Sequence, residues 1–131
     1  MKITDNELLV LAEEARKRAY APYSSFLVGA ALLCSDGSTY TGCNVENASF
    51  SPTCCAERVA IFKAISEGNR QFEAIAIVGG KGDCADPCYP CGVCRQVMSE
   101  FCSADFKIIT TDGAITLGEL LPKSFNLKQE N

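Results

Sequence analysis

Residues 88–96, CYPCGVCRQ, place three cysteines at intervals of three in a chain that contains no histidine. From the third cysteine onward, apolar side chains recur with the spacing of one helical face: Cys94, Val97, Met98 and Phe101. The segment therefore predicts a helix that packs one stripe against a core. Cys91 and Cys94 lie one turn apart at the start of that helix, so both sulfurs can reach the same point.

The segments on either side of this helix alternate between strand and helix patterns. Apolar and β-branched runs bounded by turn residues predict strands over 26–34, 39–45, 74–80, 107–111 and 114–117. Helices are predicted over 4–19, where Thr4 and Glu7 form a capping box, over 56–67, and briefly before Pro122. This alternation predicts an α/β fold: a three-layer α/β/α domain with helices on both faces of a mixed five-stranded sheet.

Length and charge narrow the class of protein. At 131 residues the chain is expected to form a single domain over 1–131, with the polar tail 126–131 frayed. No apolar run approaches membrane-spanning length, and the charged N-terminal segment resembles neither a signal nor a transit peptide. The net charge of -4 argues against a nucleic-acid partner, which needs a basic surface. The predicted ligand is small and roughly neutral.

The cysteine content points to a compartment and limits the chemistry. Nine cysteines without a secretory signal indicate reducing conditions, so we expect a cytoplasmic protein. Under those conditions most thiols are small buried apolar groups, which is the expectation for Cys34, Cys43 and Cys102. Because histidine is absent, a metal site must use thiolates and carboxylates, and acid–base chemistry falls to a carboxylate, lysine, cysteine or tyrosine.

The cysteine spacing alone admits several interpretations. An iron–sulfur run would need its fourth ligand at Met98, and a radical SAM motif needs a barrel scaffold longer than this chain. A redox dithiol at the helix start remains open, although it leaves the rest of the chain unexplained. A structural zinc site of four cysteines also remains open, drawing on Cys54 or Cys55 together with Cys88, Cys91 and Cys94.

A further interpretation starts at residues 54–64, CCAERVAIFKA, where Cys55 opens a second predicted helix and Glu57 follows two residues later. If the two helix N-termini converge at one sheet edge, Cys55, Cys91 and Cys94 form a three-thiolate set, because helix N-termini favour thiolate over thiol. The fourth tetrahedral position then stays open for water, as in catalytic zinc sites. Glu57 would stand beside that water as its proton acceptor.

The charge of such a centre raises an objection. Three thiolates leave a zinc centre negatively charged, which makes bound water harder to deprotonate. The dipoles of two helices offset part of that charge. Arg58, between Ala56 and Val59 on a mostly apolar helix, is placed to donate to the ligand sulfurs, and an arginine directed into solvent is the alternative.

These residues resemble a known family. Cys55-Ala56-Glu57-Arg58 and the later PCGVCRQ of 90–96 closely resemble the small cytidine deaminases of nucleoside salvage, zinc enzymes with an acid-plus-PCxxC signature. The likeness extends to YAPYSSFLVGAAL (20–32), GCNVENA (42–48) and ELLPKSF (119–125), and so covers nearly the whole chain. It implies the fold of that family and the hydrolytic deamination of cytidine and deoxycytidine with release of ammonia.

The resemblance also implies roles for individual residues. Cys55, Cys91 and Cys94 would hold one zinc ion per subunit, and Glu57 would carry protons from water to ring atom N3 and to the departing ammonia. Further implied contacts are Asn44 and Glu46 to the ribose, Phe26 to the pyrimidine ring, the backbone of Ala56 to the base, and Phe125 across a subunit interface. Without the resemblance, Asn44 would be a turn residue and Glu46 a solvated acid.

Several positions depart from the family pattern. Phe50 lies where members often carry tyrosine, and Tyr89 replaces a smaller residue. Cys54, Cys84 and Cys88 are additional, and Cys88 is predicted not to be a ligand. Because family members are homotetramers whose sites borrow residues across interfaces, a homotetramer is expected. A blasticidin-type deaminase, which lacks the Asn-x-Glu segment, or a non-catalytic zinc-stabilised module are the alternatives.

Overall fold

The computed structural model describes residues 3–82 and 86–127. Helices and strands follow one another in this order: α1 (Asp5–Arg16), β1 (Phe26–Cys34), β2 (Thr39–Cys43), α2 (Ala56–Ser66), β3 (Phe72–Lys81), β4 (Asp86–Pro87), α3 (Gly92–Phe101), β5 (Lys107–Thr110), β6 (Gly113–Thr116) and α4 (Leu117–Leu120). Cys84 and positions 128–131 of the predicted frayed tail lie outside the described residues.

The strands form one mixed sheet in the order β2-β1-β3-β5-β6, with β4 paired to β3. Strands β3 and β5 run parallel, and the other pairs are antiparallel. The predicted strands are therefore present, and β4 is added to them. In β4, Asp86 pairs with Gly79 and Pro87 with Val78. A proline is tolerated in this short strand because a strand at a sheet edge does not need every N–H for pairing.

The sheet separates two apolar layers, as the continuous apolar run of β1 predicts. Ala31 and Leu33 of β1 pack with α1 on one face. Ala30 and Leu32 pack with α2 and α3 on the opposite face. Successive strand residues thus enter different layers, which confirms the prediction of helices on both faces.

Helix α1 begins as predicted and ends early. The capping box is present, with the Glu7 N–H donating to Thr4 Oγ1 at 3.1 Å and the Thr4 N–H donating to Glu7 Oε1 at 2.8 Å. The regular helix stops at Arg16, whereas the apolar periodicity predicts helix as far as residue 19. The chain turns away because the Tyr20 N–H donates to the Asn44 carbonyl at 2.9 Å, joining this segment to the chain beyond β2.

The three cysteines predicted to be buried apolar thiols are buried to different degrees. Cys34 is completely buried in the layer formed by α2 and α3. Cys102 is half-buried against the same layer, and burial raises the pKa of its thiol to about 12. Cys43 is also half-buried. The expectation of buried, apolar thiols thus describes Cys34 fully and the other two in part.

One glycine brings α2 close to the sheet. A Cβ at Gly42 would lie 2.5 Å from the Ala56 carbonyl oxygen and 2.6 Å from the Ala60 nitrogen. Only a residue without a side chain lets β2 pass this near to the first turn of α2. The start of α2 therefore lies against the sheet, on the face that also carries α3.

Candidate active site

Three thiols converge where α2 and α3 begin. The Sγ atoms of Cys55, Cys91 and Cys94 lie within 4.8 Å of one another. The separation is 3.7 Å between Cys55 and Cys91, and 3.5 Å between Cys91 and Cys94. In a tetrahedral site with Zn–S bonds near 2.3 Å, the sulfurs are about 3.8 Å apart. The spacing of the three thiols therefore fits a zinc ion.

The two helix N-termini explain why the thiols meet. Cys55 is the N-cap residue of α2, and Cys91 is the N-cap residue of α3. The Cys91 sulfur accepts from the Cys94 N–H at 3.5 Å, so it caps its own helix. The positive ends of both helix dipoles point at the cluster, which favours the thiolate form that binds metals.

The ionisation of the cluster also suits a divalent cation. Hydrogen bonds from Cys94 and from Arg58 lower the pKa of the Cys55 thiol to about 5, against the opposing effect of burial. The pKa of Cys94 is raised, first by the same hydrogen bond to Cys55 and then by burial. One thiolate thus makes the next harder to form. A dication between the sulfurs removes that repulsion, because metal binding displaces the thiol protons.

Arg58 lies against the cluster rather than in solvent. Its Nη2 donates to the Cys55 sulfur at 3.4 Å, and this hydrogen bond is the main cause that raises the pKa of the guanidinium. Its Nε is buried and finds no hydrogen-bond partner among residues 3–82 and 86–127. The permanently charged guanidinium offsets part of the negative charge that the thiolates carry.

Glu57 supplies a carboxyl that titrates near neutral pH. Its side chain lies in the first turn of α2, and the residue is 3% exposed. Burial raises the pKa of Glu57 to about 7, and the negative charge of Cys55 adds to this effect. A carboxyl with such a pKa can accept a proton in one step and return it in another.

A cleft of about 290 Å³ opens beside the thiols. Most of the predicted site residues line it: Phe26, Asn44, Glu46, Cys55, Ala56, Glu57 and Cys91. Cys94 is buried next to this lining. Phe125, in contrast, does not line this cleft and is 65% exposed.

Asn44 and Glu46 line the cleft from the chain segment that follows β2. The Asn44 amide joins two residues of β1, since Oδ1 accepts from the Val28 N–H at 2.8 Å and Nδ2 donates to the Phe26 carbonyl at 2.9 Å. The Glu46 carboxylate accepts from the Tyr23 N–H at 3.0 Å. Hydrogen bonds from Ser24 are the main cause that lowers the pKa of Glu46.

Cys88 and Cys54 stand apart from the three-thiol cluster of the described chain. Cys88 lines the cleft, and a Cβ at Gly79 would lie 2.8 Å from its sulfur. Burial, followed by the charges of Glu57 and Cys55, raises the pKa of Cys88 to about 11. Burial also raises the pKa of Cys54. Both groups are therefore neutral thiols at physiological pH.

Several residues at this site have no role that the sequence motifs predict. Ser24, Val28 and Thr53 also line the cleft. Arg95 donates through Nε to the Pro90 carbonyl at 2.8 Å and through Nη1 to the Leu120 carbonyl at 2.9 Å. It thereby fixes the residue before Cys91. Arg95 and Ser24 both lie inside the quoted motifs, which was the signal that could have identified them.

Within residues 3–82 and 86–127, three thiols without a fourth ligand cluster beside a carboxyl whose pKa burial raises to about 7. This arrangement is typical of catalytic zinc sites, since structural sites close all four positions with protein ligands. Residues 2–110 match the family model described as "Cytidine and deoxycytidylate deaminase zinc-binding region", and the chain belongs to this family. Zinc is thus the cofactor, and the thiol cluster can accommodate one ion.

Individual relatives resemble the chain over almost its full length. The cytidine deaminase of Sporosarcina psychrophila is 48% identical over 125 residues, which cover 92% of this chain and 90% of the relative. That of Halalkalibacterium halodurans is 50% identical over 133 residues, covering 97% and 98%. The crystal structure of cytidine deaminase from Burkholderia pseudomallei superposes with a TM-score of 0.85 at 45% identity, covering 94% of this chain and 100% of that one.

No helix in the described ranges combines the length and the apolar character needed to cross a membrane.

Proposed function

We propose that this chain catalyses the hydrolytic deamination of cytidine and deoxycytidine to uridine and deoxyuridine, releasing ammonia, in pyrimidine nucleoside salvage in the cytoplasm. The observation that carries the proposal is the buried Glu57 carboxyl at the edge of three thiols that fit zinc. Relatives named cytidine deaminases, whose alignments cover more than 90% of the chain, support the choice of substrate.

In the proposed mechanism Cys55, Cys91 and Cys94 would hold one zinc ion per subunit, and the bound ion would supply an activated water as the nucleophile. Glu57 accepts a proton while the water oxygen bonds to C4 of the pyrimidine, and it delivers that proton to N3. The same carboxyl then transfers the proton of the new hydroxyl to the amine. The C4–N bond breaks, and ammonia leaves a uracil ring.

The substrate contacts are proposed for residues that line the same cleft. Asn44 has used one amide hydrogen and one oxygen lone pair on β1, so one of each remains for a ribose hydroxyl. Glu46 as a carboxylate only accepts hydrogen bonds, which suits hydroxyl donors. Phe26 is proposed to pack on the ring. The Ala56 backbone, at the start of α2, is proposed to contact the base.

We also infer a homotetramer of single-domain subunits, in which Phe125 reaches the cleft of a neighbour. Its support is the exposure of large apolar side chains, 81% for Phe50 and 65% for Phe125. Aromatic residues are enriched in protein interfaces relative to the rest of the surface. Light scattering coupled to size-exclusion chromatography should give four times the chain mass of 14.1 kDa. A monomer would contradict the shared site.

The test of the activity follows the ultraviolet spectrum of cytidine with the purified, zinc-loaded protein at neutral pH. We expect conversion to the spectrum of uridine. Deoxycytidine, cytosine and cytidine monophosphate then define the specificity. A protein that keeps its zinc and leaves cytidine unchanged would overturn the proposal, in favour of a deaminase of another base or a non-catalytic zinc module.

A further inference from the structure

The hydroxyl of Ser24 lies between two residues that the proposed function assigns to the substrate. Its Oγ donates to Glu46 Oε2 at 2.5 Å and accepts from the Phe26 N–H at 3.0 Å. The backbone N–H of Ser24 donates to Glu46 Oε1 at 3.1 Å. One residue therefore holds both oxygens of the Glu46 carboxylate and also the start of β1.

The backbone beside Ser24 is in an unusual conformation. Ser25 has a φ of 61°, in the left-handed region that residues with a side chain rarely adopt. Its N–H donates to the Ala21 carbonyl at 3.0 Å, which closes a turn immediately before β1. This turn lets the Ser24 side chain reach forward to the Phe26 N–H. Backbone strain of this kind is concentrated at functional sites.

Asn44 completes the contacts around Phe26. Ser24 accepts from the Phe26 N–H, and the Asn44 amide donates to the Phe26 carbonyl at 2.9 Å. Both backbone polar groups of Phe26 are thus bound by side chains that line the cleft. The network runs from Glu46 through Ser24 and Phe26 to Asn44, and it joins the two chain segments on either side of the β1–β2 hairpin.

We propose that Ser24 is a positioning residue that aligns the Glu46 carboxylate with the Phe26 ring, so that sugar and pyrimidine are held in one geometry. The inference rests on the proposed substrate roles of Glu46 and Phe26. Ser24 acts through these two residues, because its single hydroxyl hydrogen is committed to Glu46 and one of its lone pairs to Phe26.

The first test measures steady-state kinetics with cytidine for Ser24→Ala. We expect kcat/KM to fall about tenfold to hundredfold, mostly through KM, since the lost hydrogen bond is made to a charged group that holds the substrate before and during reaction. Ser24→Thr keeps the hydroxyl and should recover most of the loss. An unchanged KM in Ser24→Ala, or no recovery by threonine, would overturn the proposal.

The matched control is Ser38→Ala. The Ser38 hydroxyl also donates to a carboxylate, Asp36 Oδ1 at 2.6 Å, but in the exposed turn between β1 and β2. Its removal should leave the kinetics unchanged. If Ser38→Ala lowers kcat/KM as much as Ser24→Ala does, the loss of activity in both variants is a general effect on stability. That result would contradict a positioning role for Ser24.

A double-mutant cycle tests whether Ser24 acts through Glu46. Residues in one hydrogen-bond network couple, so Ser24→Ala combined with Glu46→Gln should lose less than the product of the two single losses. Fully multiplicative losses would place Ser24 outside this network and overturn the inference.

A second readout does not depend on turnover. Because the Ser24 hydrogen bonds are the main cause of the lowered pKa of Glu46, Ser24→Ala should shift the titration of the Glu46 carboxyl to higher pH in carbon-detected NMR. An unshifted titration overturns the role of Ser24 even if cytidine is a substrate. Conversely, the Glu46 titration could shift in a protein that leaves cytidine unchanged. That result would overturn the proposed function but support the hydrogen bond between Ser24 and Glu46.

Discussion

The two sides of the cleft are built differently. On the metal side, Cys55 and Cys91 are the N-cap residues of two helices that pack on the sheet, and Glu57 lies in the first turn of α2. On the other side, which the proposed function assigns to the sugar and which is called the sugar side below, Glu46 and Ser24 lie in loops. They meet through a side-chain hydrogen bond between residues 22 apart in sequence. The metal side is anchored by the core, and the sugar side by a network of polar contacts. Substitutions should therefore abolish function on the first side and weaken it selectively on the second.

The largest effect is expected at Glu57. Glu57→Ala should lower kcat by at least about 10²- to 10⁴-fold, because it removes the buried carboxyl, with a pKa raised to about 7, that is proposed to shuttle the proton. Zinc content and fold should be retained, since the carboxyl is not part of the thiol cluster. Elemental analysis and the cytidine assay check both points. Unchanged turnover would refute the shuttle role, and loss of zinc would make Glu57 part of the metal site.

The second prediction compares two neighbouring cysteines in the same assay. Cys91→Ser should weaken zinc binding more than about tenfold, because loss of a ligand costs at least as much as loss of a residue that supports one. Cys88→Ser should keep zinc and most of the activity, since the Cys88 thiol lies outside the cluster and is neutral at physiological pH. Competition with a chelator measures both affinities. A Cys88→Ser protein that loses zinc would contradict the three-ligand assignment.

The contrast between the two sides also explains what the sequence could predict. Cys91 and Cys94 are one helical turn apart, as are Cys55 and Arg58, so local spacing alone indicates which side chains share a face. The early end of α1 and the hydroxyl of Ser24 depend instead on contacts between distant segments. Tyr20 binds Asn44, and Ser24 binds Glu46. No periodicity in a single segment encodes such contacts.

The same reasoning applies to the strands. The apolar run of β1 predicts a strand buried on both faces because its own composition demands cover. Strand β4 has only Asp86 and Pro87, both exposed, and its pairing comes from the neighbouring end of β3. A segment of this kind has no pattern of its own. Such a strand is recognised only in the folded structure, through its pairing with β3.

The third prediction tests the proposed contact of Glu46 with the ribose by comparing substrates with and without ribose hydroxyls. Glu46→Gln should lower kcat/KM for cytidine about tenfold to hundredfold. The kcat/KM for 2′,3′-dideoxycytidine, which offers no ribose 2′- or 3′-hydroxyl, should change little. The ratio of the two kcat/KM values is the measurement. Glu14→Gln, which removes an exposed ion pair with Lys17 on α1, is the control and should change neither. Equal losses with both nucleosides would mean that Glu46 does not bind the sugar.

The smallest effect is expected at Ser25, where the backbone conformation rather than the side chain is proposed to matter. Glycine adopts a φ of 61° without strain, yet it also increases the entropy of the unfolded chain. Because these effects oppose each other, Ser25→Gly should change the free energy of unfolding by less than about 1 kcal/mol and leave KM for cytidine unchanged. Ser25→Val should cost about 1–3 kcal/mol, because a β-branched side chain is strongly disfavoured in this region.

Urea unfolding and the cytidine KM, measured on both variants, show whether the turn supports the sugar side. If the turn positions Ser24, the valine variant should raise KM in the folded protein, in the same direction as Ser24→Ala, while the glycine variant should not. A valine variant that is destabilised but binds cytidine normally would separate the strain at Ser25 from the alignment of Glu46. The Ser24 hydroxyl would then hold the Glu46 carboxylate without help from the strained turn at Ser25, and Ser24→Ala alone would decide its positioning role.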